Sequence, residues 1–190
     1  MTYIINFVGP PCAGKSLLAA KTFVELKKSG IKTELVQEHA KKVIADGKCY
    51  KLDNQVEVSR QQHKDIKRYT NTSQIVVTDG SLLHGLFYNT YNENSLCAGE
   101  LAKQKILDLY NDPAFENIVV FVEKGNYPYD TVGRVHTEEQ SAEISVKMRA
   151  MLVEHNIDFV DFKNTRSHRG FDELIEDIID LVEPRTFCLR

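Results

Sequence analysis

The chain has 190 residues, 42% of them hydrophobic, enough to bury a core and too many for a disordered segment. Its 27 acidic and 24 basic residues leave a net charge of −3, which excludes a global pull toward nucleic acid or an anionic membrane, a local basic patch aside. No apolar run approaches the roughly 20 residues of a membrane span, and the start "MTYIINFV" lacks the basic region and cleavage site of a signal peptide.

In chain order, Tyr3–Val8 reads as a buried strand. Leu17, Ala20 and Val24 then recur at helical spacing, and Ser29-Gly30 closes that helix. Ile31–Gln37 is a second strand, His39–Asp46 a short helix ending before Gly47, and Asn54–Tyr69 a longer polar helix. "SQIVVTDG" gives a third strand ending at Asp79. Ser81–Tyr91 and Glu100–Tyr110 read as helices around a loop, and Asn117–Glu123 as a fourth strand. The stretch 124–136, with two glycines and a proline, is a surface loop. Thr137–His155 is the longest helix, opened by a Thr137/Gln140 capping box; Ile157–Phe162 is a fifth strand and Phe171–Val182 a final amphipathic helix. Strands that alternate with helices imply a five-stranded parallel sheet sandwiched by helices, an α/β fold. No repeat or linker interrupts it, so one domain over 1–190 is expected, with a lid-like loop at about 124–137.

The segment Gly9-Pro10-Pro11-Cys12-Ala13-Gly14-Lys15-Ser16 satisfies G-x-x-x-x-G-K-[ST] and lies between a strand and an amphipathic helix, as a phosphate-binding loop must. Glycines let the chain curl so that successive N–H groups point inward, at the positive end of the helix that follows. Residues Gly9 to Leu17 are therefore the expected nucleotide contacts. Lys15 is placed to reach the phosphates, and the Ser16 hydroxyl to hold Mg²⁺. Cys12 lies inside this loop, where a helix N-terminus lowers a thiol pKa; small filler is the plainer reading. Cys12, Cys49, Cys97 and Cys188 form no CxxC pair, as expected of reduced thiols in a cytoplasmic protein.

A parallel sheet aligns the C-terminal ends of its strands, which brings other residues to the same place. Asp79, ending strand three, is expected as the Mg²⁺-side carboxylate; a helix N-cap is the alternative. Glu38, ending strand two, is expected beside the γ-phosphate as the base for an acceptor hydroxyl, with a surface acid at a helix start as the alternative. Arg134 suits a closing lid that offsets charge on the transferring group, or else is a solvated loop residue. In "SRQQHKDIKR", Arg60 and Gln62 are candidate acceptor contacts, against the alternative of a solvated helix face. Asn164 and Thr165, after strand five, could border the adenine, with Arg166 and Arg169 stacked or exposed nearby.

Together "GPPCAGKS", "QEHAKKVI", "SRQQHKDI", "VVTDGSLL" and "YPYDTVGRVHTEEQSAEI" resemble the P-loop kinase group that includes the NadR-type nicotinamide riboside kinase domain and its phage-encoded relatives. The resemblance covers nearly the whole chain. It implies a nucleoside- and nucleotide-kinase-like fold, ATP with Mg²⁺, and phosphorylation of a hydroxyl in the cytoplasm, that of a host if the chain is phage-encoded. It makes Glu38 the base, Asp79 the Mg²⁺-site acid and Arg134 a lid residue. This chain carries Glu38-His39-Ala40-Lys41 where such relatives commonly have Glu-Tyr-Ala-Arg, and Asp79-Gly80 where they often have Asp-Thr.

The expected function is a kinase acting on a nucleoside- or nucleotide-like acceptor. One alternative acceptor is 5-hydroxymethyluracil in phage DNA, which would need a basic groove from Lys41, Lys42, Arg60, Lys64 and Lys67. The other class is a P-loop ATPase switch. No membrane partner is expected, and a homodimer is left open.

Overall fold

The computed structural model describes residues 1–92, 96, 99–130, 136–165 and 168–186. Its elements run β1 (Thr2–Val8), α1 (Lys15–Lys28), β2 (Thr33–Val36), α2 (His39–Ala45), a 3₁₀ turn (Cys49–Asp53), α3 (Gln55–Lys67), β3 (Ile75–Thr78), α4 (Leu82–Tyr91), α5 (Glu100–Tyr110), β4 (Phe115–Lys124), α6 (Glu138–Glu154), β5 (Val160–Asn164) and α7 (His168–Thr186). The five strands form one sheet in the order β2-β3-β1-β4-β5, every pairing parallel.

Strand alternation sorts the core onto two faces. Tyr3, Ile5 and Phe7 of β1 meet Leu18 and Leu26 of α1 and Phe171, Leu174 and Ile178 of α7. On the other face Val8, Val119 and Phe121 meet α4, α5 and α6, and Ile4 and Val76 meet Ile66 of α3. Asn6 is buried on that second face. Its amide donates to the Ile4 carbonyl at 3.0 Å and to Asn117 Oδ1 at 2.9 Å, which satisfies it across β1 and β4.

Element ends shift by a few residues from the sequence reading, and two departures have a visible cause or consequence. The 3₁₀ turn at Cys49–Asp53 was not expected. The fifth strand begins at Val160, not Ile157, because the end of α6 consumes the intervening residues. Asn156 turns left-handed (φ 52°), the Ile157 N–H returns to the Leu152 carbonyl at 2.9 Å, and Ile157 packs on the α4–α6 core. The capping box is present, with Thr137 and Gln140 exchanging both bonds at the start of α6.

Connections leave β1 toward β2 on one side and leave β3 toward β4 on the other, while β1 and β3 are neighbours. The sheet therefore switches direction between β1 and β3. Loops diverge there and open a crevice at the carboxyl ends of the strands. The loop 9–14 follows β1, Asp79 follows β3, and Glu38 lies just past β2, the neighbour of β3.

Candidate active site

The phosphate loop is held from outside by its carbonyls. The Lys15 ammonium donates to the Gly9 and Pro10 carbonyls, each at 2.8 Å. Ser141 Oγ of α6 donates to the Pro11 carbonyl at 2.8 Å, the Tyr127 hydroxyl to that of Cys12 at 3.1 Å, and the Asn164 amide to that of Ala13 at 2.8 Å. Five consecutive carbonyls thus face donors of the protein, which leaves the concave side of the loop to its N–H groups. Gly14 caps α1 in the left-handed conformation (φ 86°) with no side-chain cap, so the first amides of α1 remain for an anion. A Cβ on Gly14 would sit 2.2 Å from the Asn164 amide nitrogen, so a side chain there would push out the brace.

His84 of α4 is buried, with Nε2 3.3 Å from the Gly9 carbonyl. Its pKa is lowered to about 3, by burial first and by Lys15 second, so the ring is neutral and donates from Nε2. Its Nδ1 has no hydrogen-bond partner among the described residues. Nothing in the sequence marked His84, which sits in an apolar run; its partner lies 75 residues away.

The acids stand as the strand geometry requires. Asp79 is buried, with a side chain only 8% exposed, and Ser81 rather than Asp79 caps α4. Asp79 Oδ1 accepts from the Glu38 N–H at 2.7 Å, and Oδ2 accepts from the Lys41 ammonium at 2.5 Å. Burial pushes the Asp79 carboxyl up, but Lys41, Ser16 and the Glu38 amide together outweigh it and hold the pKa below the usual range. Glu38 behaves oppositely. It occupies the N-cap position of α2 without capping it, its side chain 21% exposed, and burial raises its pKa; Asp79 adds to the rise, while Lys15 and Lys41 oppose it. The tips of β2 and β3 approach so closely that a Cβ on Gly80 would lie 2.4 Å from Glu38 Cβ. Gly80 is thereby explained: threonine at this place would displace Glu38.

Lys41 sits among these groups, its ammonium 2.6 Å from Ser16 Oγ and 3.6 Å from Glu38 Oε2. The sequence placed it in a candidate basic groove and at the end of the Glu38-His39-Ala40-Lys41 stretch, without a role at the metal side; its spacing of three from Glu38 on a helix was the available signal.

Gln62 reaches the cleft wall but is neither solvated nor open to a ligand. It is 4% exposed, its Oε1 accepts from the His39 N–H at 2.6 Å, and its Nε2 donates to Thr78 Oγ1 at 3.1 Å. Both ends of the amide join α2 and β3 to α3. Arg60 lies two residues away, about 200° around the helix. It is exposed and pairs with Glu57 at 2.7 Å, so the structure does not bring it together with Gln62. Lys42 and Lys67 likewise pair with Asp65 and Asp112, so these members of the expected basic groove are already matched by acids. Asn164 is fully buried in its bond to the loop, while Thr165 beside it is exposed. Arg134 and Arg166 fall outside the described residues, as do Cys97 and Cys188.

An aromatic wall borders the Glu38 side. Tyr88 stacks on His136 with ring centres 6.0 Å apart, and Tyr91 stacks on Phe87 at 5.0 Å. The Tyr88 hydroxyl pKa is driven far above its usual value, by burial first and by the Glu38 charge second. A cavity of about 870 Å³ lies beyond this wall, lined by Phe87, Tyr91, His136 and Lys147 among others, and by no residue of the phosphate loop, Glu38 or Asp79.

No curated protein matches the chain by sequence. Among solved structures it is similar to the NadR protein in complex with NR, with a TM-score of 0.72 at 15% identity over 96% of this chain and 50% of that one. This chain thus spans about half the length of NadR. It is also similar to deoxyadenosine kinase from M. mycoides with dCMP and dCDP bound (TM-score 0.56, 19% identity, 95% and 99% of the two chains). A third likeness is to thymidylate kinase from Ehrlichia chaffeensis (0.62, 14%, 95% and 99%). Identities this low fix the fold and not the acceptor, and 191 solved chains match the structure. The fold is that of the P-loop kinases. A family model described as an AAA domain matches residues 4–169, most of the sequence, and with the loop, strand tips and sheet order in place the chain belongs to that family.

Proposed function

We propose that the protein is an ATP- and Mg²⁺-dependent phosphotransferase that moves the γ-phosphoryl group to a hydroxyl of a nucleoside- or nucleotide-like acceptor. The observation that carries this reading is the contrast between two acids at neighbouring strand tips: Asp79 is held ionised while Glu38 is pushed toward neutrality. A simple anion-binding loop needs no such pair.

The triphosphate lies against the loop amides and the start of α1. Lys15 exchanges the Gly9 and Pro10 carbonyls for phosphate oxygens. Ser16 Oγ and the Asp79 carboxylate, a hydroxyl and an ionised acid that already share one cation, are hard oxygen donors that fit Mg²⁺. Bound there, the ion supplies charge neutralisation for the phosphates. Glu38 accepts the proton of the acceptor hydroxyl, a task suited by a pKa that burial raises above its ordinary value. The Tyr88 and His136 rings beside it suit a planar base. The guanidinium of Arg134 is assigned by sequence to offset charge on the transferring group, and Thr165 to border the adenine. Support comes from relatives of the same fold: NadR is known in complex with NAD and AMP-PNP, and deoxyadenosine kinase with dCMP and dCDP.

The AAA domain match favours a second reading, an ATPase without an acceptor. Incubation with γ-labelled ATP and a panel of nucleosides, nucleotides and nicotinamide riboside separates the two. The kinase reading expects label in an acceptor. Phosphate release at one rate whatever acceptor is present would establish the ATPase instead.

A further inference from the structure

Lys41 reaches from the first turn of α2 across the cleft to two other elements, Ser16 on α1 and Asp79 after β3. These are the same two oxygens that the reading above gives to Mg²⁺, and the present inference rests on that reading. We propose that Lys41 is a cationic placeholder for the metal: its ammonium holds Ser16 and Asp79 together, excludes free divalent cations, and yields the place only to metal arriving with nucleotide.

The chemistry follows from charge and shape. An ammonium is a compact point charge with three donors. Here it donates to Ser16 Oγ at 2.6 Å and to Asp79 Oδ2 at 2.5 Å, and its charge stands 3.6 Å from Glu38 Oε2 as an ion pair. A divalent ion entering alone would meet a positive charge within about one ionic contact, at an interaction strength set by a partly buried site. A metal–nucleotide complex is net anionic. It offers the displaced ammonium phosphate oxygens as new partners, so the exchange costs little in charge. Lys41 is well placed to move, since its side chain is 41% exposed and α2 has only seven residues. A lysine at this place can withdraw from an ion-sized position, whereas the broad fork of an arginine matches carboxylates in a plane.

Mn²⁺ binding to the full chain without nucleotide, read as loss of the free-ion paramagnetic resonance signal at low ionic strength, tests the inference. Lys41→Met and Lys41→Gln should each bind Mn²⁺ at least about tenfold more tightly than the native chain. Lys42→Met, which removes a charge from the same helix but one paired with Asp65, should bind like the native chain. Adding Asp79→Asn to Lys41→Met should abolish the gain. Circular dichroism identifies any variant that has not folded, and two neutral replacements guard against a single failure. Nucleotide affinity that is the same with Mg²⁺ and with a chelator would overturn the metal-site reading itself. Metal-dependent nucleotide binding with Mn²⁺ affinity unchanged in both Lys41 variants would overturn this inference alone.

Discussion

Glu38 and Asp79 differ by environment and not by chemistry. Asp79 gains three donors for its burial, whereas Glu38 loses water and stands beside a second negative charge. Glu38→Gln removes the proposed base while keeping the side-chain shape. It should lower kcat by roughly 10²–10⁴ and leave nucleotide affinity within about twofold. The sign of the pH effect is set by the same shift. A base works only when ionised, so a raised pKa moves the acid limb of kcat above the ordinary glutamate value of 4.5, and activity falls as pH drops through it. That limb should vanish in Glu38→Gln. An unchanged kcat, or an acid limb that survives the substitution, would remove Glu38 from the role. Both acids were legible in the sequence because a strand tip in a parallel sheet has only one place to be. His84 and Asn164 were not legible in their roles: their partners are 75 and 151 residues away, and pairing at that distance leaves no local pattern.

Between elements, single buried polar groups do the joining. Asn164 at the end of β5 ties that strand to the phosphate loop through Ala13. Asn164→Ala leaves a buried carbonyl without its donor, which should cost about 1–3 kcal/mol in chemical denaturation and weaken nucleotide binding through a looser loop. Equal affinity in the variant would show that the brace does not shape the loop. Asp112 joins α3 to the start of β4: it accepts from Lys67 at 2.6 Å and from the Ala114 N–H at 2.9 Å, and meets His63 Nε2 at 2.8 Å. Burial opposes its charge, yet these donors prevail and hold its pKa at about 2, against an ordinary 3.8. A depressed folded pKa stabilises the fold above the unfolded value, and that contribution is lost as pH falls from 3.8 to about 2. Asp112→Asn should therefore cost about 1–2 kcal/mol at pH 7 and almost nothing near pH 2. A penalty that is the same at both pH values would refute the electrostatic explanation. At this scale Gln62, a candidate acceptor contact or solvated residue by sequence, serves instead as a joint between elements. The residue type and position were right for the cleft, but closing α2 onto β3 uses both ends of its amide.

Over the whole molecule, the alternation of apolar strands with amphipathic helices was enough to give the parallel sheet, since only that architecture covers both faces of such strands. Strand order was not legible; it depends on which edges meet in space, and it is what puts the phosphate loop beside Asp79. Among the described residues no helix is long and apolar enough to cross a membrane, in keeping with the hydropathy of the sequence. The site gathers from every layer: the loop after β1, acids after β2 and β3, a hydroxyl from α6 and an amide from β5. Nucleotide should therefore stabilise the entire fold, by about 2.7 kcal/mol when present at a hundred times its dissociation constant.

The most direct test is Lys15→Ala, with Mg²⁺-dependent ATP affinity, nucleotide-induced thermal stabilisation and labelled-phosphoryl transfer measured on the same preparation. The Lys15 ammonium donates to the Gly9 and Pro10 carbonyls of its own loop, each at 2.8 Å, so its removal is a local loss and the fold should survive it. The expected result is a folded protein whose ATP affinity falls at least about tenfold and whose transfer and thermal shift are lost. Native affinity and native transfer in the variant would contradict the account.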